Sequence, residues 1–123
     1  MADGPTKVGN GPPSMSSPAT LTVEAGGDRS AATFTFHHED HTMGNTLRYM
    51  LNKKPETTFV GYSVPHPAEP KMNLRLQTSG APATDVLLDA LETVHHVGEH
   101  VLATFDTAVA DFRRREGAKQ PTR

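Results

Sequence analysis

Histidine is the one reactive side chain this sequence carries in excess, with seven in 123 residues and no cysteine beside them. His96 and His100 stand four apart with Glu99 between them, a spacing that puts two imidazoles and a carboxylate on one side of a helix and could ligate zinc. On a helical wheel the same three residues fall with Asp89 and Glu92, opposite the apolar positions Leu91, Val94 and Val101. A solvated polar face accounts for them without a metal. A second group, His37, His38 and His41, straddles the end of one segment and the start of the next, where turn hydrogen bonding is the commoner role. Arg48 and Tyr49 project from a helix and are open either to a partner or to solvent alone. No glycine-rich phosphate loop, HExxH pair or calcium loop occurs, so the specific enzyme signatures are absent. Without cysteine, thiolate metal sites, disulfides and thiol nucleophiles are excluded together.

The elements that must position these residues are legible in the hydrophobic pattern. Leu21-Thr22-Val23 alternates up to a Gly26-Gly27-Asp28 turn, and Ala32 to His37 alternates again, with Phe34 and Phe36 on one face and Thr33, Thr35 and His37 on the other. The reading is two antiparallel strands with a packed and a wetter side. A helix follows at once, with Met43, Leu47, Met50 and Leu51 on one face. Asp40 or Thr42 caps its start, and Lys53, Lys54 and Pro55 mark its end. Gly44 and Asn45 are its odd members, because glycine in a first turn costs up to about 1 kcal/mol relative to alanine. Close backbone packing is therefore expected there.

Thr57 to Val64 reads as a third strand, ended by Pro65-His66-Pro67, whose prolines fix a turn. Met72, Leu74 and Leu76 alternate with Asn73, Arg75 and Gln77 in a fourth. From Pro82 to Glu116 the pattern is helical, with Gly117 as a stop, a run long for so small a domain. Leu87, Leu91, Val94, Val101, Phe105, Val109 and Phe112 form its apolar seam, which Gly98 interrupts and Val86, Ala90 and Val97 widen. Asp85, Asp89 and Glu92 near the helix start and Arg113, Arg114 and Arg115 near its end complement the macrodipole. A four-stranded sheet cannot cover a seam of that length, so its C-terminal half is expected to pack on another chain.

Composition sets the outer bounds. The chain has room for one small domain, with 35% hydrophobic and 21% charged residues. A net charge of −2 gives no drive toward nucleic acid, and no apolar run approaches the 20 or so residues of a membrane span. Residues 1–18, rich in Gly, Pro and Ser, read as a disordered tail, 19–117 as the domain and 118–123 as a flexible end.

Two strings carry a resemblance: EDHTMGNTLRYMLNKKPE (39–56) and FVGYSVPHPAEPKMNLRLQT (59–78). They resemble the smaller α-like subunits shared by eukaryotic RNA polymerases I and III. More distantly they resemble the equivalent subunit of RNA polymerase II, the archaeal small α-like subunit and the dimerisation domain of bacterial α. The likeness spans roughly Thr33 to Phe112.

It implies an α+β dimerisation fold, a four-stranded mostly antiparallel sheet with one short helix and one long C-terminal helix. The two helices would help pair the chain with the larger α-like subunit. That heterodimer would be the platform on which the second-largest subunit and the rest of the enzyme assemble, in the nucleus, for transcription of rRNA, 5S rRNA and tRNA. The motif residues are His41, Thr42, Gly44, Asn45, Leu47 and Arg48, then Gly61, Tyr62, Pro65, His66 and Pro67. None carries catalysis, and no cofactor, metal, membrane, small-molecule substrate or direct nucleic-acid contact is implied. The expected partner-binding set joins the first six to Leu87, Leu91, Val94, Val101, Phe105, Val109 and Phe112. Set beside the surplus apolar surface of the long helix, the family resemblance makes Gly44 and Asn45 the expected point of close approach between two chains. Alternatives are the RNA polymerase II counterpart and a general homodimerising module. Met43 stands where leucine is usual, a volume-conserving change. The His95-His96 pair, Gly98 and the Gly/Pro tail are not family features.

Overall fold

The computed structural model describes residues 20–119, so the expected tail at 1–18 and residues 120–123 lie outside the described residues. Two strands, β1 (Leu21–Ala25) and β2 (Ala31–His37), lead into helix α1 (His41–Asn52). Strands β3 (Thr57–Ser63) and β4 (Lys71–Thr78) follow, and the long helix α2 (Ala83–Lys119) ends the fold. The sheet order is β1-β2-β4-β3, and every neighbouring pair is antiparallel. β4 is thus inserted between β2 and β3, the two strands that α1 connects.

The alternation expected of β2 and β4 is realised residue by residue. Ala32, Phe34, Phe36, Met72, Leu74 and Leu76 are buried on one face, where Leu47 and Leu51 of α1 and Ala83, Val86, Leu87 and Ala90 of α2 close over them. Both helices therefore lie on the same side of the sheet. The other side carries the half-buried Thr33, Thr35, Asn73 and Arg75 and has no second layer among the described residues. Burying each large aliphatic or aromatic side chain contributes about 1.5–3 kcal/mol, and this single seam supplies the apolar burial that holds the domain.

Local chemistry explains the element ends. Asp40 caps α1: its carboxylate accepts from the Thr42 backbone N–H at 2.9 Å, which holds its pKa below the usual carboxylate value. At the other end of α1, Lys54 reaches Asp89 of α2 in an ion pair, with its side chain mostly covered, and so ties the two helices together. His38 takes a left-handed conformation (φ 65°), and its N–H donates to Pro70 O at 2.6 Å, closing the turn out of β2.

Two expectations about helices need correcting. α2 does not stop at Gly117; it runs to Lys119 over 37 residues, or roughly 55 Å at 1.5 Å per residue. A glycine costs a helix interior only about 1 kcal/mol, too little by itself to end it. The close approach at Gly44 lies within the chain. A Cβ there would stand 2.6 Å from Cε2 and 2.8 Å from Cγ of Tyr62, and closer still to Cδ2. Gly44 is required because α1 sits directly on the Tyr62 ring of β3.

Candidate partner-binding surface

The first turns of α1 present a polar outer face. His41, Thr42, Asn45 and Arg48 are all exposed, and the Arg48 guanidinium donates to Asn45 Oδ1 at 2.7 Å. His41 Nδ1 lies 3.1 Å from the Tyr62 hydroxyl, with the two rings edge-on at 5.7 Å. Tyr49 is also exposed, and the Lys53 ammonium sits 4.6 Å from its ring centroid, a cation–π contact. These side chains keep the geometry of the turn and remain open to a second molecule.

Three members of the expected set face inward instead. Gly44, Leu47 and Leu87 are buried in the chain's own core, so their contact surface is already taken up by Tyr62 and the sheet. A helix residue whose spacing marks the apolar face contacts whatever lies under that face. Beneath the N-terminal third of α2 it is this chain's sheet.

Further along α2 the same face leaves the sheet behind. Leu91 and Val94 still pack at the core's margin. Beyond them Val97, Val101, Leu102, Phe105 and Phe112 are 45–64% exposed, and Val109 is half-buried. The overhang is about 25 residues, or roughly 37 Å. Leu91, Gly98, Phe105 and Phe112 recur at intervals of seven, flanked by Val94 and Val101 on one side and Leu102 and Val109 on the other. Apolar rows with that repeat are characteristic of helices that pair lengthwise. Nothing approaches within 4 Å of a Cβ built at Gly98, so the seam has a notch between Leu91 and Phe105. Leu102 belongs to this surface and escaped the sequence reading. It lies four residues after Gly98, and following the seven-residue row from Leu88 through His95 would have found it.

The polar back of α2 does not gather a metal site. Glu99 is shared between His95 Nε2 at 3.0 Å and His96 Nδ1 at 3.4 Å, and His100 takes no part in that arrangement. Among the described residues no three His, Asp or Glu side chains converge as metal ligands would. The second histidine group is likewise dispersed into the turn and the Tyr62 contact. Pro65, His66 and Pro67 are exposed in the β3–β4 connection.

Comparison with known proteins fits this geometry. Residues 31–104 match the RNA polymerase Rpb3/Rpb11 dimerisation domain. The chain is 44% identical over 92 residues to the DNA-directed RNA polymerases I and III subunit RPAC2 of Danio rerio, covering 74% of this chain and 82% of that protein. It is 46% identical over 89 residues to the polymerases I and III subunit rpc19 of Dictyostelium discoideum, covering 71% and 77%. Among solved structures, DNA-directed RNA polymerase subunit L of Thermoplasma acidophilum aligns with a TM-score of 0.66 at 17% identity, covering 82% of this chain and 96% of that one, which speaks to the fold alone. A four-stranded antiparallel sheet with both helices on one face, a family match across residues 31–104 and relatives covered over more than three quarters of their length lead to one conclusion: the chain belongs to the RNA polymerase Rpb3/Rpb11 dimerisation domain family.

Proposed function

We propose that this chain is a non-catalytic assembly subunit of nuclear DNA-directed RNA polymerases I and III. It pairs with the larger α-like subunit through the overhanging seam of α2 and the outer face of α1. The pair then serves as the platform on which the second-largest subunit and the rest of the enzyme assemble. The observation that carries this reading is the bare apolar seam from Val97 to Phe112, since an exposed stripe of that size on a lone chain marks a binding surface. Relatives named as subunits of polymerases I and III support the choice of complex. The partner residues in this reading are His41, Thr42, Asn45 and Arg48 on α1, and Leu91, Val94, Val101, Leu102, Phe105, Val109 and Phe112 on α2.

A likeness to the probable RNA polymerase II subunit RPB11 of Caenorhabditis briggsae, 48% identical, extends over a shorter 71 residues. The polymerase I and III assignment therefore stands ahead of that alternative. Because the same seam could also meet its own copy, the test is co-expression of the full chain with the larger α-like subunit, followed by sedimentation. A 1:1 heterodimer is expected. A chain that stays monomeric beside that partner, or that prefers a tight homodimer in its presence, overturns the proposal.

A further inference from the structure

The face of the sheet turned away from both helices holds an unanswered charge. Arg75 lies at the middle of the central strand β4. Its cross-strand neighbours are Thr33 on one side and Gly61 on the other, and Glu24 of β1 lies beyond Thr33 in the same row. The guanidinium is half-buried, and one nitrogen donates to Thr33 Oγ1 at 3.3 Å. No carboxylate lies within ion-pair distance of it among the described residues, whereas Lys71 on the same strand is engaged by Glu69. An arginine has five donors in a planar fork, so most of its hydrogen-bonding capacity here is unused.

The surroundings make a shallow, open depression. Thr33, Asn73, Arg75 and Ser63 supply hydroxyl, amide and guanidinium groups around its volume of about 380 Å³, and Gly61 and Phe59 also line it. Gly61 keeps it open: a Cβ there would press to 3.3 Å from Phe59 Cζ. The Phe59 ring is 50% exposed, although it stands on a sheet whose other face supplies all the core.

We propose that this open sheet face is a second protein-docking surface, in which Arg75 forms a forked ion pair with an Asp or Glu side chain of another chain while an apolar neighbour of that acid lies on Phe59. Charge complementarity selects the occupant. A planar guanidinium matches a carboxylate through two parallel hydrogen bonds, and arginine and large aromatic side chains are among the residues enriched at interface anchors. Nucleic acid is the weaker fit, because phosphate binding draws on several Lys and Arg at once, and this face offers one unpaired guanidinium with Glu24 in the same row. The surface lies on the opposite side of the sheet from α1 and α2, so both faces can be occupied together. The inference rests on the assembly reading above only in taking its partner from the same complex.

The test places the photo-crosslinking residue p-benzoylphenylalanine at position 59 of the tagged full-length chain. Assemblies that carry the chain are purified from cells whatever their composition, irradiated and mapped by mass spectrometry. The expected crosslink falls on a polypeptide within a few residues of an Asp or Glu. Arg75→Glu should lower its yield at least tenfold, Arg75→Lys should retain part of it, and changing the mapped acid to Arg should restore it in the Arg75→Glu background. A crosslink to RNA or DNA, no crosslink at all, or a yield that Arg75→Glu leaves unchanged each overturns the proposal. Pairing with the larger α-like subunit is scored on the same samples by size. Loss of pairing with a retained, Arg75-dependent crosslink would therefore count against the assembly reading and not against this one.

Discussion

Gly44→Ala is the sharpest perturbation, because two effects of known size oppose each other at one atom. Alanine in place of glycine inside a helix gains up to about 1 kcal/mol in propensity. Against that, the new methyl would fall 2.6–2.8 Å from two carbons of the Tyr62 ring. Overpacking of this kind costs about 1–3 kcal/mol when the neighbour must shift. Tyr62 is poorly placed to give way, since it sits on β3 in register with Leu74 and its hydroxyl meets His41. Sterics should win, for a net loss of about 1–2 kcal/mol, which for a domain near 100 residues lowers the melting midpoint by roughly 5–15 °C. The assay is thermal unfolding at fixed protein concentration, because any pairing makes the midpoint concentration-dependent. A double-mutant cycle isolates the cause: in a Tyr62→Ala background, Gly44→Ala should become neutral or stabilising, a coupling above about 1 kcal/mol. An unchanged or raised midpoint for Gly44→Ala alone, or a penalty that persists without the Tyr62 ring, would refute the account.

Phe105→Asp should abolish heterodimer formation while leaving the monomer's unfolding within about 0.5 kcal/mol, because the side chain is 64% exposed in the single chain; parallel sedimentation and melting of the variant check both halves. Lys54→Ala should loosen the junction of α1 and α2 by about 0.5–1 kcal/mol, a modest loss because the Asp89 side of the pair is 60% exposed; urea unfolding measures it. Asp40→Ala should lower the midpoint through loss of the cap. The folded-state pKa of Asp40 is depressed by its hydrogen bond from Thr42. Its contribution is therefore complete above the unfolded value of about 3.9 and is lost as pH falls through the lower folded one. Stability curves of the two proteins should accordingly converge at acid pH, and a gap that stays constant down to pH 2 would contradict the capping role.

What the sequence determined by itself was most of what short-range periodicity and N-terminal capping set. Phe34 and Phe36 go in while Thr33 and Thr35 stay out because side chains alternate along a strand, and that holds whatever the strand packs against. The sequence offers Asp40 or Thr42 as the cap of α1 because the first-turn N–H groups need an acceptor wherever the helix lies, and the structure uses Asp40. The same local grammar exposed the surplus of apolar surface on α2, and the strings around HTMGN and SVPHP marked the family. It could not say what lies beneath a given face. Leu87 lies on the same apolar seam of α2 as Val101 and Phe105, yet Leu87 is buried by this chain's own sheet and the other two stand free. The difference is where the sheet ends under α2, a fact of three-dimensional extent that no periodicity encodes. Gly44 shows the same division: its cost in a helix is visible in the sequence, but only the register of β3 brings the Tyr62 ring underneath it. So too for Arg75, one charged residue in an alternating strand until pairing sets Thr33 and Gly61 on either side, with no carboxylate of the described residues at ion-pair distance. Those neighbours come from strands far apart in the chain, and tertiary pairing alone decides them.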